Sequence, residues 1–276
     1  RTQTTPTDTK APGKRRITVP RLVVNAVPTR QGGGLTVLMG LLEAWRKNGN
    51  RMHITVVANA PGTLDVIERS GFADQVEPVL ANAGSWRKFL WQNYRFGHTL
   101  DDLKADVVLT NNYFMRRVDY PQIVHYQDAR RFLEQPYALG PIEGLEQFAR
   151  NWSTRQSLGE APANVFISEY MRLEAERITP ESAPNNHVIH NGLPDDVIDA
   201  GITNTYEYAD TANLIAIQSA SVHKDNPTLL RTVAELVRRR PDVDWKLNIA
   251  GGPERGSWEP FKRMSAELDI DSRVTW

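Results

Sequence analysis

The chain has 276 residues, with 33 Lys and Arg against 33 Asp and Glu, 40% hydrophobic residues and no cysteine. This is the profile of a folded globular protein of one or two domains; it excludes collagen-like, coiled-coil and wholly disordered chains, disulfide frameworks, cysteine zinc sites and thiol catalysis. Zero formal net charge gives no general attraction to a polyanion, so no nucleic-acid partner is expected; no apolar run spans a bilayer and no signal-peptide core opens the chain, so a cytoplasmic protein is expected.

Residues 1–16 carry Arg1, Lys10, Lys14, Arg15 and Arg16 against Asp8 and have nothing to bury, which predicts a disordered basic tail. Arg21–Val27 reads as a strand. A turn, Gly32-Gly33-Gly34, and a helix with Leu38, Leu41, Leu42 and Trp45 at helical spacing follow. The alternation continues with a strand at His53–Ala58, a helix at Thr63–Ser70, a strand at Val76–Leu80 and one helix over Ser85–Leu103. Strands at Val107–Thr110 and Gln122–Tyr126, a helix at Leu145–Leu158, a strand at Asn164–Ile167, a helix at Glu169–Arg177 and a strand at His187–His190 complete the series. Short strands, apolar on both faces and separated by amphipathic helices, predict a doubly wound, mostly parallel α/β sheet over residues 17–195. The pattern lapses over 196–212, an expected linker, and restarts over 213–276. There strands are expected at Leu214–Gln218, Leu247–Ala250 and Arg273–Trp276, with helices at Thr228–Arg239 and Trp258–Leu268. Three strands are few for a covered parallel sheet, so the native polypeptide is expected to run on for about 100 residues.

Gly32-Gly33-Gly34 lies between a strand and a helix, where glycine lets an anion approach the unpaired N–H groups of the helix start. It lacks both the Gly-x-Gly-x-x-Gly spacing of a dinucleotide fold and the Lys-Ser/Thr of a P-loop, so a tight turn is the competing reading. Asp242-Val243-Asp244 and Asp269-Ile270-Asp271 match a metal-holding Asp-x-Asp, but their position between helix and strand favours solvated turns, and no metal site is assigned. His187 and His190, three residues apart on a strand, point to opposite faces, and the Asn151-Trp152-Ser153 sequon falls inside a helix. Trp86, Phe89, Leu90, Trp91 and Tyr94 interleave with Arg87, Lys88 and Arg95, a pattern that allows peripheral membrane contact but is more usual for a helix packed on its own sheet.

Six segments in order resemble the retaining GT-B glycosyltransferases of family 4. They are the Gly32–Gly34 loop, Pro121–Phe132 (PQIVHYQDARRF), Val165–Arg172 (VFISEYMR), Val188–Gly192 (VIHNG), Leu214–Leu230 (LIAIQSASVHKDNPTLL) and Leu247–Gly252 (LNIAGG). The resemblance implies two Rossmann-like domains of GT-B architecture, the second incomplete. It also implies transfer of a sugar from a nucleotide-diphosphate donor to a carbohydrate, lipid-linked or small-molecule acceptor hydroxyl in a cleft between the domains, without a metal cofactor. It makes Lys224 the cation that neutralises the departing diphosphate, Gln127 and Asp128 the counterparts of the family's His-Asp, and Gly32, Gly33, Gly34, Asn191, Gly192, Ser219, Gly251 and Gly252 donor or phosphate contacts.

Two positions depart from the family pattern. Ser219 stands where the family has an arginine, and Gln127, which cannot titrate, stands where it has His, so Gln127 is expected to hold a hydroxyl by its amide and not to act as a base. The resemblance further implies a helix with two Glu spaced by seven, expected after Trp276. A catalytically inactive GT-B binding protein and a nucleotide-sugar epimerase of the same fold are the rival readings.

Overall fold

The computed structural model describes residues 19–29, 32–49, 51–81, 83–112, 114–129, 132, 141–193, 197–199, 211–221, 224–253 and 257–276. The expected tail and most of the expected linker lie outside the described residues. Contacts divide the chain into two units, Arg1–Ile198 and Asp199–Trp276.

In the first unit, seven strands form one parallel sheet: β1 (Arg21–Asn25), β2 (His53–Ala58), β3 (Gln75–Pro78), β4 (Val107–Asn111), β5 (Gln122–Tyr126), β6 (Ala163–Phe166) and β7 (Asn186–Val188). Their order is β3-β2-β1-β4-β5-β6-β7. Leu22 pairs with Ile54 on one side and with Val107 on the other, so β1 is central, and its apolar run is buried on both faces. On one face Leu22, Val24, Ile54, Val56 and Leu109 pack against Leu38 and Leu42 of α1 (Gly33–Lys47) and Ile67 of α2 (Pro61–Ser70). On the other, Val23, Val57 and Val108 meet Phe96 and Leu100 of α4 (Phe96–Leu103), which follows α3 (Ser85–Tyr94). Further along, Tyr126 and Phe166 stack with ring centres 5.1 Å apart, against Leu158 of α5 (Pro141–Glu160) and Met171 and Ala175 of α6 (Glu169–Ile178). Ser168 caps α6 by accepting the Met171 N–H at 3.3 Å, with Glu169 in the first turn, which gives the Ser-Glu pair a structural reason.

The single helix expected over Ser85–Leu103 is two, joined at Arg95. Side chains four apart drift by about 40° per step around a continuous helix. Across the break, Gln92 of α3 and Phe96 and Leu100 of α4 are all buried. The inward face of α3 is also not the aromatic one. Lys88 and Gln92 are buried, with the Gln92 amide donating to Asn25 Oδ1 at 3.3 Å, whereas Phe89, Leu90 and Tyr94 are exposed. Trp91 alone of these aromatics is half-buried, its ring centre 5.2 Å from that of Phe96, and the side chain of Trp86 lies outside the described residues. No described helix is long and apolar enough to cross a membrane.

The second unit holds β8 (Thr211–Ile217), β9 (Asp244–Ala250) and β10 (Val274–Thr275) in the parallel order β10-β9-β8. Two helices, α7 (Asn226–Arg239) and α8 (Glu259–Glu267), contribute Leu230, Val233, Phe261 and Met264 to one core with Leu214, Ala216, Leu247 and Ile249. The alternate residues of β8 face away from that core, leaving Ile215 71% and Ile217 86% exposed.

Candidate functional site

In an open parallel sheet the crevice for a ligand lies beyond the carboxyl ends of the strands, where the chain order reverses. In the first unit this place is between β1 and β4, because the chain leaves β1 toward β2 and later returns to pair β4 on the other side. The loop after β1 ends at Gly32, whose φ of 74° favours glycine, and α1 begins at Gly33. Leu35 and Thr36 already donate to the Gly32 carbonyl, and the first N–H groups of the helix open at this edge.

Above them stands the end of β5. Ile123 belongs to the core face shared with α1, and His125 and Gln127, two and four residues on, follow on that face. The Gln127 Nε2 lies 3.2 Å from His125 Nδ1, and a Cβ built on Gly34 would sit 3.6 Å from Gln127 Oε1. Gln127 is also held by its backbone. Its N–H donates to Asn112 Oδ1 at 3.2 Å, and the Asn112 N–H donates to the His125 carbonyl at 2.9 Å. Asn112 reaches this position with φ of 68°, a left-handed conformation that asparagine tolerates. Beside it, Asn111 donates to Thr29 Oγ1 at 3.4 Å, which ties the loop after β1 to the end of β4. The structure thus brings Gly32, Gly33, Gly34 and Gln127 to one crevice. Asp128 follows, half-buried, while Asn191 and Gly192 are exposed beyond the edge strand β7, two strands from β5.

Burial alone pushes the His125 ring down to about 4. The unfolded ring, with its ordinary value near 6.5, binds a proton that the folded ring refuses, so between about pH 6.5 and 4 the unfolded state binds more protons and stability falls as pH falls. The full shift is worth about 3 kcal/mol. Urea titrations of the wild type and His125→Phe at pH 7 and pH 5 are expected to show a smaller acid loss in the variant; equal losses would mean that His125 does not stay neutral.

In the second unit the corresponding edge is formed by the loops after β8 and β9. Ser219 is buried and its Oγ lies 2.9 Å from that of Ser221, while its carbonyl accepts from Asn226, the buried first residue of α7. Gln218 holds the other end of the Asn226 amide at 2.6 Å. This latch presents Lys224, whose N–H donates to the Ser221 carbonyl at 3.0 Å. Its side chain is exposed and, among the described residues, pairs with no carboxylate. Gly251 packs directly on the Gln218 carbonyl, which gives this glycine a reason within the fold itself; Gly252 beside it is exposed.

The two Asp-x-Asp segments lie at the expected helix-to-strand connections, with Asp242 in the turn and Asp244 opening β9, and Asp269 in the turn and Asp271 opening a 3₁₀ turn. Asp242 pairs with Arg240 at 2.7 Å, and Asp244 pairs with Lys246 and Arg273, each at 3.2 Å. Sequence reasoning passed over His125, Asn112 and Asn226. The available signal for His125 was a polar residue closing an apolar strand two positions before Gln127; nothing local marks Asn112 or Asn226.

No protein-family model matches the chain, and no curated protein matches it. Solved structures do. A glycosyltransferase from Rickettsia africae covers 94% of this chain and 68% of its own, with a TM-score of 0.63 and 11% identity. An E. coli structure described as trehalose-6-phosphate bound with UDP-2-fluoro glucose covers 93% and 73%, with a TM-score of 0.58 and 12% identity. A UDP-GlcNAc 2-epimerase from Neisseria meningitidis bound to UDP-GlcNAc covers 93% and 71%, with a TM-score of 0.53 and 13% identity. The likeness is one of fold, and the fold is α/β of GT-B architecture built from Rossmann-like units.

Proposed function

We propose that the protein transfers a sugar from a nucleotide-diphosphate-sugar donor to an acceptor hydroxyl, with retention of anomeric configuration and without a metal cofactor. The observation that carries this reading is Lys224, which pairs with no carboxylate among the described residues and stands at the carboxyl edge of a parallel sheet, two residues before the buried Asn226 that starts α7. As the bond between sugar and diphosphate breaks, charge grows on the phosphate, and a fixed ammonium with backbone N–H groups lowers the barrier by meeting that charge as it forms. In the first unit the Gly32–Gly34 loop receives a polar group of the substrate against bare backbone, and the Gln127 amide holds a hydroxyl. Gln127 does not titrate, so the departing phosphate takes the acceptor's proton.

The fold shared with the Neisseria meningitidis epimerase supports a second reading, conversion of the nucleotide sugar itself. Incubating the chain with a panel of nucleotide sugars, with and without hydroxyl acceptors, separates the two. A glycosylated acceptor and free nucleoside diphosphate support transfer, an altered sugar formed without acceptor supports epimerisation, and no turnover of any donor overturns both. A sharper check uses Gly33→Val. A Cβ at Gly33 meets nothing within 4 Å, so the variant is expected to keep the wild-type melting temperature. Its branched side chain fills the approach to the backbone, and turnover is expected to fall on the order of tenfold or more. Full activity would reduce the glycine loop to a turn.

A further inference from the structure

We propose that His125 is a positioning residue which fixes the end of the Gln127 amide that faces the glycine loop, making this corner of the site a reader of a substrate hydroxyl and not of an anion. The inference rests on the function proposed above and narrows what its first unit binds. An amide has a donor end and an acceptor end of nearly the same shape, and a free glutamine at the mouth of a site turns either one outward. Here the main chain of Gln127 is pinned by Asn112, and its Nε2 lies 3.2 Å from His125 Nδ1. His125 is only 7% exposed, closed in on β5 beside the β4 strand end at Asn111. Burial holds its ring neutral down to about pH 4, so the ring is not a cation with two donors. A neutral ring protonated on Nε2 offers Nδ1 as an acceptor, and the Gln127 N–H fills it.

With the nitrogen end committed inward, the oxygen end stands at Gly34, within 3.6 Å of where a Cβ would be. A carbonyl oxygen there repels the charged oxygens of a carboxylate, which brings no proton at neutral pH, and of a phosphate, which keeps at most one or two and remains a net anion. It accepts a hydroxyl proton, and the hydroxyl oxygen is free to accept from a backbone N–H at the start of α1. Were the ring protonated on Nδ1, the amide would turn over, its NH₂ would join the backbone N–H groups, and the same corner would suit an anion. One proton on a buried ring therefore selects the substrate group.

The test uses the full chain labelled with ¹⁵N-histidine and separately at glycine amides. Long-range ¹H–¹⁵N correlation at pH 7 is expected to show His125 protonated on Nε2 alone; protonation on Nδ1, or on both nitrogens, overturns the proposal. Titration with glucose is expected to shift the Gly33 and Gly34 amides while inorganic phosphate leaves them in place; phosphate binding there in preference to glucose also overturns it. His125→Phe, which keeps the ring volume and loses the acceptor, is expected to weaken the glucose response about tenfold, and His125→Asn, which restores an acceptor near Nδ1, to recover it to within about threefold. Equal responses in the two variants would remove His125 from the role. If neither glucose nor phosphate moves the loop in the wild type, the proposed function fails in this unit, and the ring tautomer alone decides the role of His125.

Discussion

Gly251→Ala is expected to lower the stability of the second unit by about 4 kcal/mol, among the largest effects a single substitution has. At φ of 154° the residue occupies a region that side chains rarely enter, and a Cβ built there sits 2.1 Å from the Gln218 oxygen and 2.8 Å from its carbonyl carbon. Neither strand end can retreat easily. The Gln218 N–H donates to the Ala250 carbonyl at 3.0 Å, and the Gln218 side chain holds Asn226, so a shift at Gly251 also disturbs the start of α7. For a unit of this size the loss corresponds to a fall in melting temperature of about 15–30 °C. Differential scanning calorimetry of the full chain checks it. A transition within a few degrees of the wild type would mean that the turn after β9 relaxes around the methyl group.

Lys224→Ala is expected to leave that transition where it is and to cut turnover by about 10²–10³. The side chain is exposed and supports no core residue, so its removal costs the fold little. In the proposed reaction it meets charge that appears only as the donor bond breaks, so its loss falls mainly on kcat. Ser219 brings no charge to share this work, and its hydroxyl is turned toward Ser221. Steady-state kinetics with the donor that turns over, for Lys224→Ala and Lys224→Arg, tests this. A kcat unchanged in the alanine variant would place the chemistry elsewhere, and partial recovery in the arginine variant would show that charge, and not shape, is needed.

The elements these variants probe were unequally legible. The bounds of β2 and β5 match the expected His53–Ala58 and Gln122–Tyr126, because runs of branched and apolar residues end in turn-forming neighbours. The doubled α/β alternation rests on many such runs and tolerates local error, whereas GT-B architecture was legible only through the six segments that resemble a known family. The helix over Ser85–Leu103 failed where periodicity alone was used: Gly97, two residues past Arg95, is only a weak local mark of a break, and the contact to Asn25 that goes with it is distant in the chain. The 3₁₀ turn at Pro180–Asn185 was missed for a related reason: its hydrogen bonds bridge α6 to β7 and carry no period. At the candidate edges of the two units, the Gly32–Gly34 loop in the first and Lys224 in the second are visible because type and position coincide. His125 and Asn226 act through partners that only folding brings near, and Gly251 marks a close approach of two backbones that composition does not reveal.

The reversed orientation of α3 has a consequence for how the first unit comes apart. An apolar helix face is released from a core only against the whole hydrophobic effect, but α3 sends only the half-buried Trp91 of its described aromatics to the core, and Gln92 holds it by an amide–amide hydrogen bond to Asn25 that can be exchanged for water. Its neighbour α4, with Phe96 and Leu100 fully buried, has no such exit. The pair therefore forms a seam at which α3 is expected to open at lower cost than α4. Because Asn25 also accepts the Val27 N–H that starts the glycine loop, each opening of α3 loosens one side of the crevice floor and leaves the sheet beneath it closed.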